Sequence, residues 1–386
     1  MEVGPLITPY AHRFAGLHAG VHSVSSPLGA WLILALVAPV ARGAVRAEIE
    51  EILGTDARRA RRALDHLIAD PPDAIRGALA VWGLETMGSW PGGLPAGVHT
   101  GPVPTQADAD DWARTHSDGL IERFPVDVTG MTAVLASALA TRIGWVRPYD
   151  VTDAAELNSP WSAQVTAALT LSGADGYLTD VAELGTVAVH TAAATDALQV
   201  TSVIASKDAG FEAVLAAAHD IARRAATGRT VRRRELSDMP LGDGEFWTIT
   251  EDRRPGGDHI RVVLPAWHAA SDHDLTVDAG LGFGAAGRAL AMAASVPPEI
   301  AARQSALARY GRWGFEAAAV TAVALRSAMA TSRRSRSATL RFGHPYAVVA
   351  VARGRRRDDP WAGVPVFAAW VGEPAEVTSI PAAAIR

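Results

Sequence analysis

The chain of 386 residues contains no cysteine. That removes disulfides, thiol nucleophiles and thiolate metal sites in one step, though it leaves the compartment open, since a secreted chain also folds without them. Lysine is almost as scarce: Lys207 is the single one, and the remaining basic residues are arginine. Net charge is −5 and the pI is near 6.2, so no global basic field calls for nucleic acid. Long apolar runs are also missing. The most hydrophobic stretch, 31–41, is too short to span a bilayer. Met1–Tyr10 has no basic segment followed by an apolar one, so no signal peptide is read there; a cytoplasmic location is expected, with an extracellular one left open. There is no Gly-x-Ser-x-Gly elbow, no internal repeat and no linker that would split the chain.

What is present suits a large mixed fold: 49% hydrophobic and 20% charged residues are enough to bury a sizeable core. Ser25-Ser26-Pro27 reads as a helix start, with proline in the first turn, followed by the apolar run 28–40. Helical spacing continues through Ala44–Leu53 and Asp56–Ala69. Short apolar runs at 78–84, 131–145 and 259–268 read as strands, and 346–351 with 364–371 read as a hairpin. Between Arg309 and Arg341 lies an alanine-rich segment and then the basic Arg333-Arg334-Ser335-Arg336-Ser337, which reads as a turn.

Four separated segments carry a resemblance. They are Ser26-Pro27-Leu28 with Gly43 and Ile49-Leu53-Gly54; Trp112-Ala113-Arg114 with 135–145 and Pro148-Tyr149-Asp150; Val263-Leu264-Pro265-Ala266-Trp267; and Gly314-Phe315-Glu316-Ala317-Ala318-Ala319 with Phe342-Gly343-His344-Pro345-Tyr346. In this order the set resembles the serpin family across nearly the whole chain. The resemblance implies an α+β fold in one domain, 1–386, with three β-sheets, about nine helices and an exposed reactive-centre loop at about 312–339. It implies a serine-protease inhibitor rather than an enzyme. A target protease would cleave the loop, and the cut loop would enter the central sheet as a new strand. A carrier on the same fold that does not inhibit is the alternative.

The resemblance also assigns residues. Gly314, Phe315, Glu316, Ala317, Ala318 and Ala319 form the loop hinge. Ser26, Pro27, Gly29, Ser137, Trp145 and Gln304 fall where the sheet opens. Counting from Gly314 places the reactive bond at Ala328–Met329, which suits an elastase- or subtilisin-type protease. Counting back from Phe342 places it near Arg334, which suits a trypsin-type one. The pattern departs at the hinge, where Phe315 replaces a small hydroxyl residue and Arg312 and Trp313 replace acidic ones. Burying a phenylalanine gains about 1.5–3 kcal/mol, and overpacking a tight site costs about as much, so the sequence leaves the sign open.

The hinge segment can be read by period. Phe315, Ala317, Ala319, Thr321, Val323 and Leu325 would share one almost wholly apolar strand face. An alanine-rich helix is the competing reading.

Other signals are weaker. Gly282–Gly287 fits a dinucleotide-loop pattern, but the residues before it are too polar for a buried strand, so a glycine-rich turn before a helix is expected. His268, Asp272, His273 and Asp274 fit no common metal spacing and read as a surface turn. No cofactor, metal or membrane partner is expected, and the chain reads as a monomer. Arg58, Arg59, Arg61 and Arg62 on one helix leave room for weak polyanion binding, although most charge runs are solvated faces.

Overall fold

The structure is a computed structural model that describes residues 2–83, 90, 93–173, 175–254, 257–293, 301–315, 333–356 and 358–377. The first third is mostly helical: α1 (Gly4–Arg13), α2 (Ala15–His18), the short strand β1 (Ser23–Ser25), α3 (Pro27–Val37), α4 (Gly43–Leu53) and α5 (Ala57–Ala69). Ser26 caps α3 by accepting the Gly29 N–H, and Pro27 supplies a preset φ at the first helical position. Every residue of α3 is buried, as expected of a helix that is apolar all round. Asp56 caps α5 in the same way, and Ala60, Ala63, Leu64 and Leu67 make its buried stripe.

Strands β2 (Ile75–Trp82) and β3 (Val98–Gly101) and helix α6 (Gln106–His116) follow. Next come β4 (Val134–Thr141), β5 (Ile143–Gly144), β6 (Asp150–Asp153), β7 (Ala167–Ser172), β8 (Gly176–Val181), β9 (Gly185–Ala193) and β10 (Leu198–Ile204). Helix α7 (Phe211–Ala226) precedes β11 (Gly242–Asp243), β12 (Trp247–Arg254), β13 (His259–Leu264) and β14 (Trp267–Asp274). The chain continues with α8 (Phe283–Ala293), β15 (Arg303–Tyr310), β16 (Gly314–Phe315), β17 (Arg333–Arg341), β18 (Tyr346–Ala352) and β19 (Pro365–Val371).

Two sheets have six strands. The back sheet runs β1-β19-β18-β10-β9-β8, and the upper sheet runs β11-β12-β17-β13-β7-β6. Strands β18 and β19 are buried along their whole length, so their near-continuous apolar sequences fit a sheet covered on both faces. The third, main sheet comes in two parts, β3-β2-β4 and β14-β15-β16-β5, and β4 and β5 are one run of chain interrupted at Arg142. Helix α3 packs behind β4, and Ser137 and Leu139 face it across Gly29. Val134 and Ala136, the alternate residues, face the other way into a cluster with Trp82, Phe124 and the α6 residues Ala109 and Ala113.

The structure corrects three expectations. Arg333–Ser337 is the first half of strand β17, not a turn. Residues 283–287 lie inside α8, with Gly282 just before it at φ 84°. His268, Asp272, His273 and Asp274 lie on β14, not on a turn, and pair with β15. Their bonds are local: Asp272 accepts from Ser305, Asp274 faces Arg303, and His273 bonds the Val24 carbonyl.

Candidate functional site

The site is the seam between the two parts of the main sheet. One edge of β4 is taken by β2, and one edge of β15 by β14. Among the described residues no ladder joins β4 to β15. A cavity of about 110 Å³ lies between them, lined by Leu135 and Ser137 of β4, Gln304 of β15, Ala30 and Ile33 of α3, and Phe283 of α8. The sequence leaves both edges able to pair with a further strand: β4 is built from small and aliphatic residues and Thr141, β15 mixes Ala306, Leu307 and Ala308 with polar and aromatic residues, and neither carries the proline that would blunt an edge.

At its upper end the seam is closed by β16. Phe315 pairs antiparallel with Tyr310 on one side and with Ile143 on the other, while Gly314 faces Gly144. Phe315 is buried, with its ring edge-on to Trp267 at 6.2 Å between centroids. Phe315 thus has a fitted pocket at the mouth of the seam.

Trp145 holds this corner. Its backbone N–H donates to the Trp313 carbonyl and its indole N–H to the Gly311 carbonyl, both at 3.0 Å. Arg312 donates from Nε to the Tyr149 carbonyl at 3.1 Å and lays its guanidinium over the Trp313 ring. The residues that depart from the family pattern thus form a local clamp of their own.

Below Trp145 the Tyr149 hydroxyl bonds both the Tyr310 hydroxyl and His190 Nε2. Burial pushes both tyrosines above their ordinary range and, with Arg147 adding to it, holds His190 down to about 3. This polar cluster had no sequence signal, because its members lie on β15, β9 and the loop before β6.

Lower down, Gln304 reaches across from β15. Its amide accepts from the Ser26 N–H at 2.8 Å and donates to the Ser26 carbonyl at 2.9 Å, while the Ser26 hydroxyl donates to the Val366 carbonyl. Pro27 and Gly29 sit in the first turn of α3, where a Cβ on Gly29 would stand 2.9 Å from Ser137 Oγ. The structure thus unites Ser26 with Gln304 and sets Ser137 beside them, lining the cavity without a hydrogen bond to either among the described residues.

The remaining hinge residues Glu316, Ala317, Ala318 and Ala319, and the bond Ala328–Met329, lie outside the described residues. Arg334 is in β17, its backbone paired with Arg253 of β12.

No family model and no curated protein matches the chain. Solved structures do match over almost its full length. Serpin48 of the insect Tenebrio molitor is 15% identical, with 95% of this chain and 98% of that chain covered and a TM-score of 0.59. The thermophilic serpin Tengpin in its native state is 11% identical, covering 97% and 95%, with a TM-score of 0.60. Human thyroxine-binding globulin complexed with its hormone is 13% identical, covering 97% and 98%, with a TM-score of 0.61. The seam, the two-residue strand at its mouth and these matches together make this chain a serpin-fold protein.

Proposed function

We propose that the protein is a single-use inhibitor of serine proteases, consumed by cleavage and loop insertion. The observation that carries this reading is the register of β16. Phe315 already occupies the mouth of a seam whose two edges continue below it. Carrying the same offset downward sets Ala317 between Thr141 and Ala308, Ala319 between Leu139 and Ala306, and Thr321 between Ser137 and Gln304. Small side chains thus meet the inner face, and the one hydroxyl arrives where the seam is polar. On the opposite face Glu316 falls between Arg142 and Arg309.

The chemistry follows from that geometry. The protease serine oxygen attacks the Ala328 carbonyl carbon, the bond to Met329 breaks, and the Met329 amine leaves with a proton. The ester-linked Ala328 is then drawn away as the segment from Glu316 onward enters the seam. The protein is mixed with elastase-, subtilisin- and trypsin-type proteases and run on a denaturing gel. The expected result is a covalent band with the first two and a free fragment beginning at Met329. Clean cleavage without a band in all three ends this reading.

A second reading is a carrier. A cavity of about 320 Å³ opens where β10, β19 and the start of α7 meet, walled by Phe211 and Trp370 and bordered by Lys207. His344 lines it, 7% exposed, and neither ring nitrogen has a hydrogen-bond partner among the described residues. Thyroxine-binding globulin, similar in fold, binds thyroxine. Calorimetry with hydrophobic ligands that carry one hydroxyl tests it; no heat at any concentration removes it.

A further inference from the structure

Two histidines that take no part in the seam meet on the α6 side of the main sheet. His99 lies on the edge strand β3 and pairs in parallel with Ala80 of β2. Strand faces alternate, and Ala80 belongs to the cluster that α6 covers, so His99 is on the α6 side too. His116 ends α6. It stands three residues after Ala113 and four after Trp112, and so extends the packed stripe of that helix by one turn. Two elements thus bring the rings together, 4.7 Å apart between centroids at an interplanar angle of 65°. Trp112 backs them both, 5.1 Å from His116 and 6.2 Å from His99. Neither imidazole has a hydrogen bond or an ion pair among the described residues.

That separation suits a shared metal ion. An imidazole nitrogen ligates zinc at about 2.0–2.1 Å, and its ring centroid lies about 1.1 Å further out. Two imidazoles held about 90–110° apart around one ion therefore place their centroids about 4.5–5.2 Å from each other. The His99–His116 distance falls inside this span. Two other histidine pairs fall outside it, His12 with His219 at 5.7 Å and His18 with His273 at 6.1 Å. In the second of these the nitrogens are also engaged, His18 with Ser23 and Ser25, and His273 with the Val24 carbonyl.

The donor set decides the class of ion. Among the described residues no third histidine or carboxylate joins the pair, so the site offers two nitrogen donors and leaves the other positions to water. Mg²⁺ and Ca²⁺ take oxygen ligands and are not served by it. Cu²⁺, Ni²⁺ and Zn²⁺ accept imidazole readily, and Cu²⁺ binds a given nitrogen set most tightly.

We propose that His99 and His116 form a two-histidine site for a divalent transition-metal ion, Cu²⁺ ahead of Ni²⁺ and Zn²⁺, that clips the edge strand β3 to the last turn of α6. Strand β3 has four residues and one strand neighbour, so the ion gives it a second attachment. An ion held by the folded chain and not by the unfolded one raises stability by mass action. The site lies apart from the seam and holds whether or not the protein inhibits proteases.

The test uses the full-length protein, freed of metal with a chelator and titrated with CuCl₂ at pH 7.5 by calorimetry. Wild type takes up one tight equivalent, which raises its melting temperature by a few degrees, and MgCl₂ does neither. H99A and H116A each weaken that equivalent by about tenfold or more and lose the rise. Electron paramagnetic resonance of wild type with one equivalent of Cu²⁺ counts the bound nitrogens without any variant having to fold, and two imidazoles are expected. Unchanged affinity in either single variant, or a spectrum with fewer than two imidazoles, overturns the site. Tight binding with no rise in melting temperature overturns the clip.

Discussion

The main sheet and the upper sheet treat the same loop in opposite ways. In the main sheet, β4 and β15 face each other across a seam that β16 closes by two residues only. In the upper sheet, β17 has a strand on each side and arginine anchors into both. Under the proposed reading, an open edge beside a closed one would give the loop a direction. Backbone donors and acceptors with no ladder partner favour any strand that pairs them, whereas removing β17 would break pairs already made.

The strongest way to break this comparison is to jam the open side. Ala319→Arg would place a guanidinium on the inner face, opposite Leu139 and Ala306 and toward α3. Burying an unpaired charge costs several kcal/mol. Covalent complex with an elastase-type protease should fall at least 100-fold, with the variant cleaved as an ordinary substrate. Ala318→Arg, one residue away and on the face shared with Arg142 and Arg309, should lose at least tenfold less. Equal losses for the two would mean that the register of Phe315 does not continue down the seam.

How far the two regions were legible in the sequence follows the same division. A local signal is legible at the leading stem: the period-two pattern marks the face of Phe315 as apolar and Phe315 is buried, while the stem from 316 onward lies outside the described residues. The Ser26-Pro27 cap was readable for the same reason. The trailing stem was not. Arg333-Arg334-Ser335-Arg336-Ser337 offers no alternation and reads as solvated turn, yet Ser335 is buried and Arg336 finds its carbonyls about a hundred residues earlier in the chain. Strand propensity there comes from partners, β12 above all, and partners are invisible to a local pattern. The pairing of Gln304 with Ser26, 278 residues apart, was reached only through the family resemblance, which sets both where the sheet opens, and no local pattern carries it.

Acid should lower the stability of the fold as a whole. Burial holds His18, His190 and His219 down to about 3, against an ordinary value of 6.5. The unfolded chain takes up these protons below about 6.5 and the folded chain only near 3, so stability is full above that window and falls as pH drops through it. Each group contributes about 1.4 kcal/mol per pH unit, or about 2 kcal/mol between pH 7 and 5. The melting temperature should drop by several degrees over that range. His190→Gln, which removes the group nearest the seam while keeping a partner for Tyr149, should cut the slope by about a quarter or less, because His344 is held down to about 4 and His12 and His116 are lowered as well. A slope unchanged by His190→Gln would show that its proton is not coupled to folding.

A smaller effect is expected from charge at the mouth. In the proposed inserted form, the register of Phe315 carried one residue further would set Glu316 between Arg142 and Arg309. Directly opposed like charges on neighbouring strands cost about 0.2–1 kcal/mol per pair. Glu316→Arg should slow insertion about fivefold, read as more substrate turnover per complex formed, and Arg309→Glu in the same chain should restore part of it. No rescue would leave Glu316 without those neighbours.

The smallest effect should come from Arg334, and its smallness is informative. A trypsin-type protease reads an arginine in an extended segment whose backbone is free to pair with the enzyme. The backbone of Arg334 is already paired with Arg253 in β12, and that pairing does not depend on its side chain. Arg334→Ala should therefore change complex formation with any of the three protease types by less than twofold. The same substitution at a presented primary site would abolish recognition by a trypsin-type enzyme, a change of several orders of magnitude. A loss of tenfold or more would move the reactive bond to Arg334. It would also require the first turns of β17 to leave β12 before the cut, and the closed side of the molecule would then be open as well.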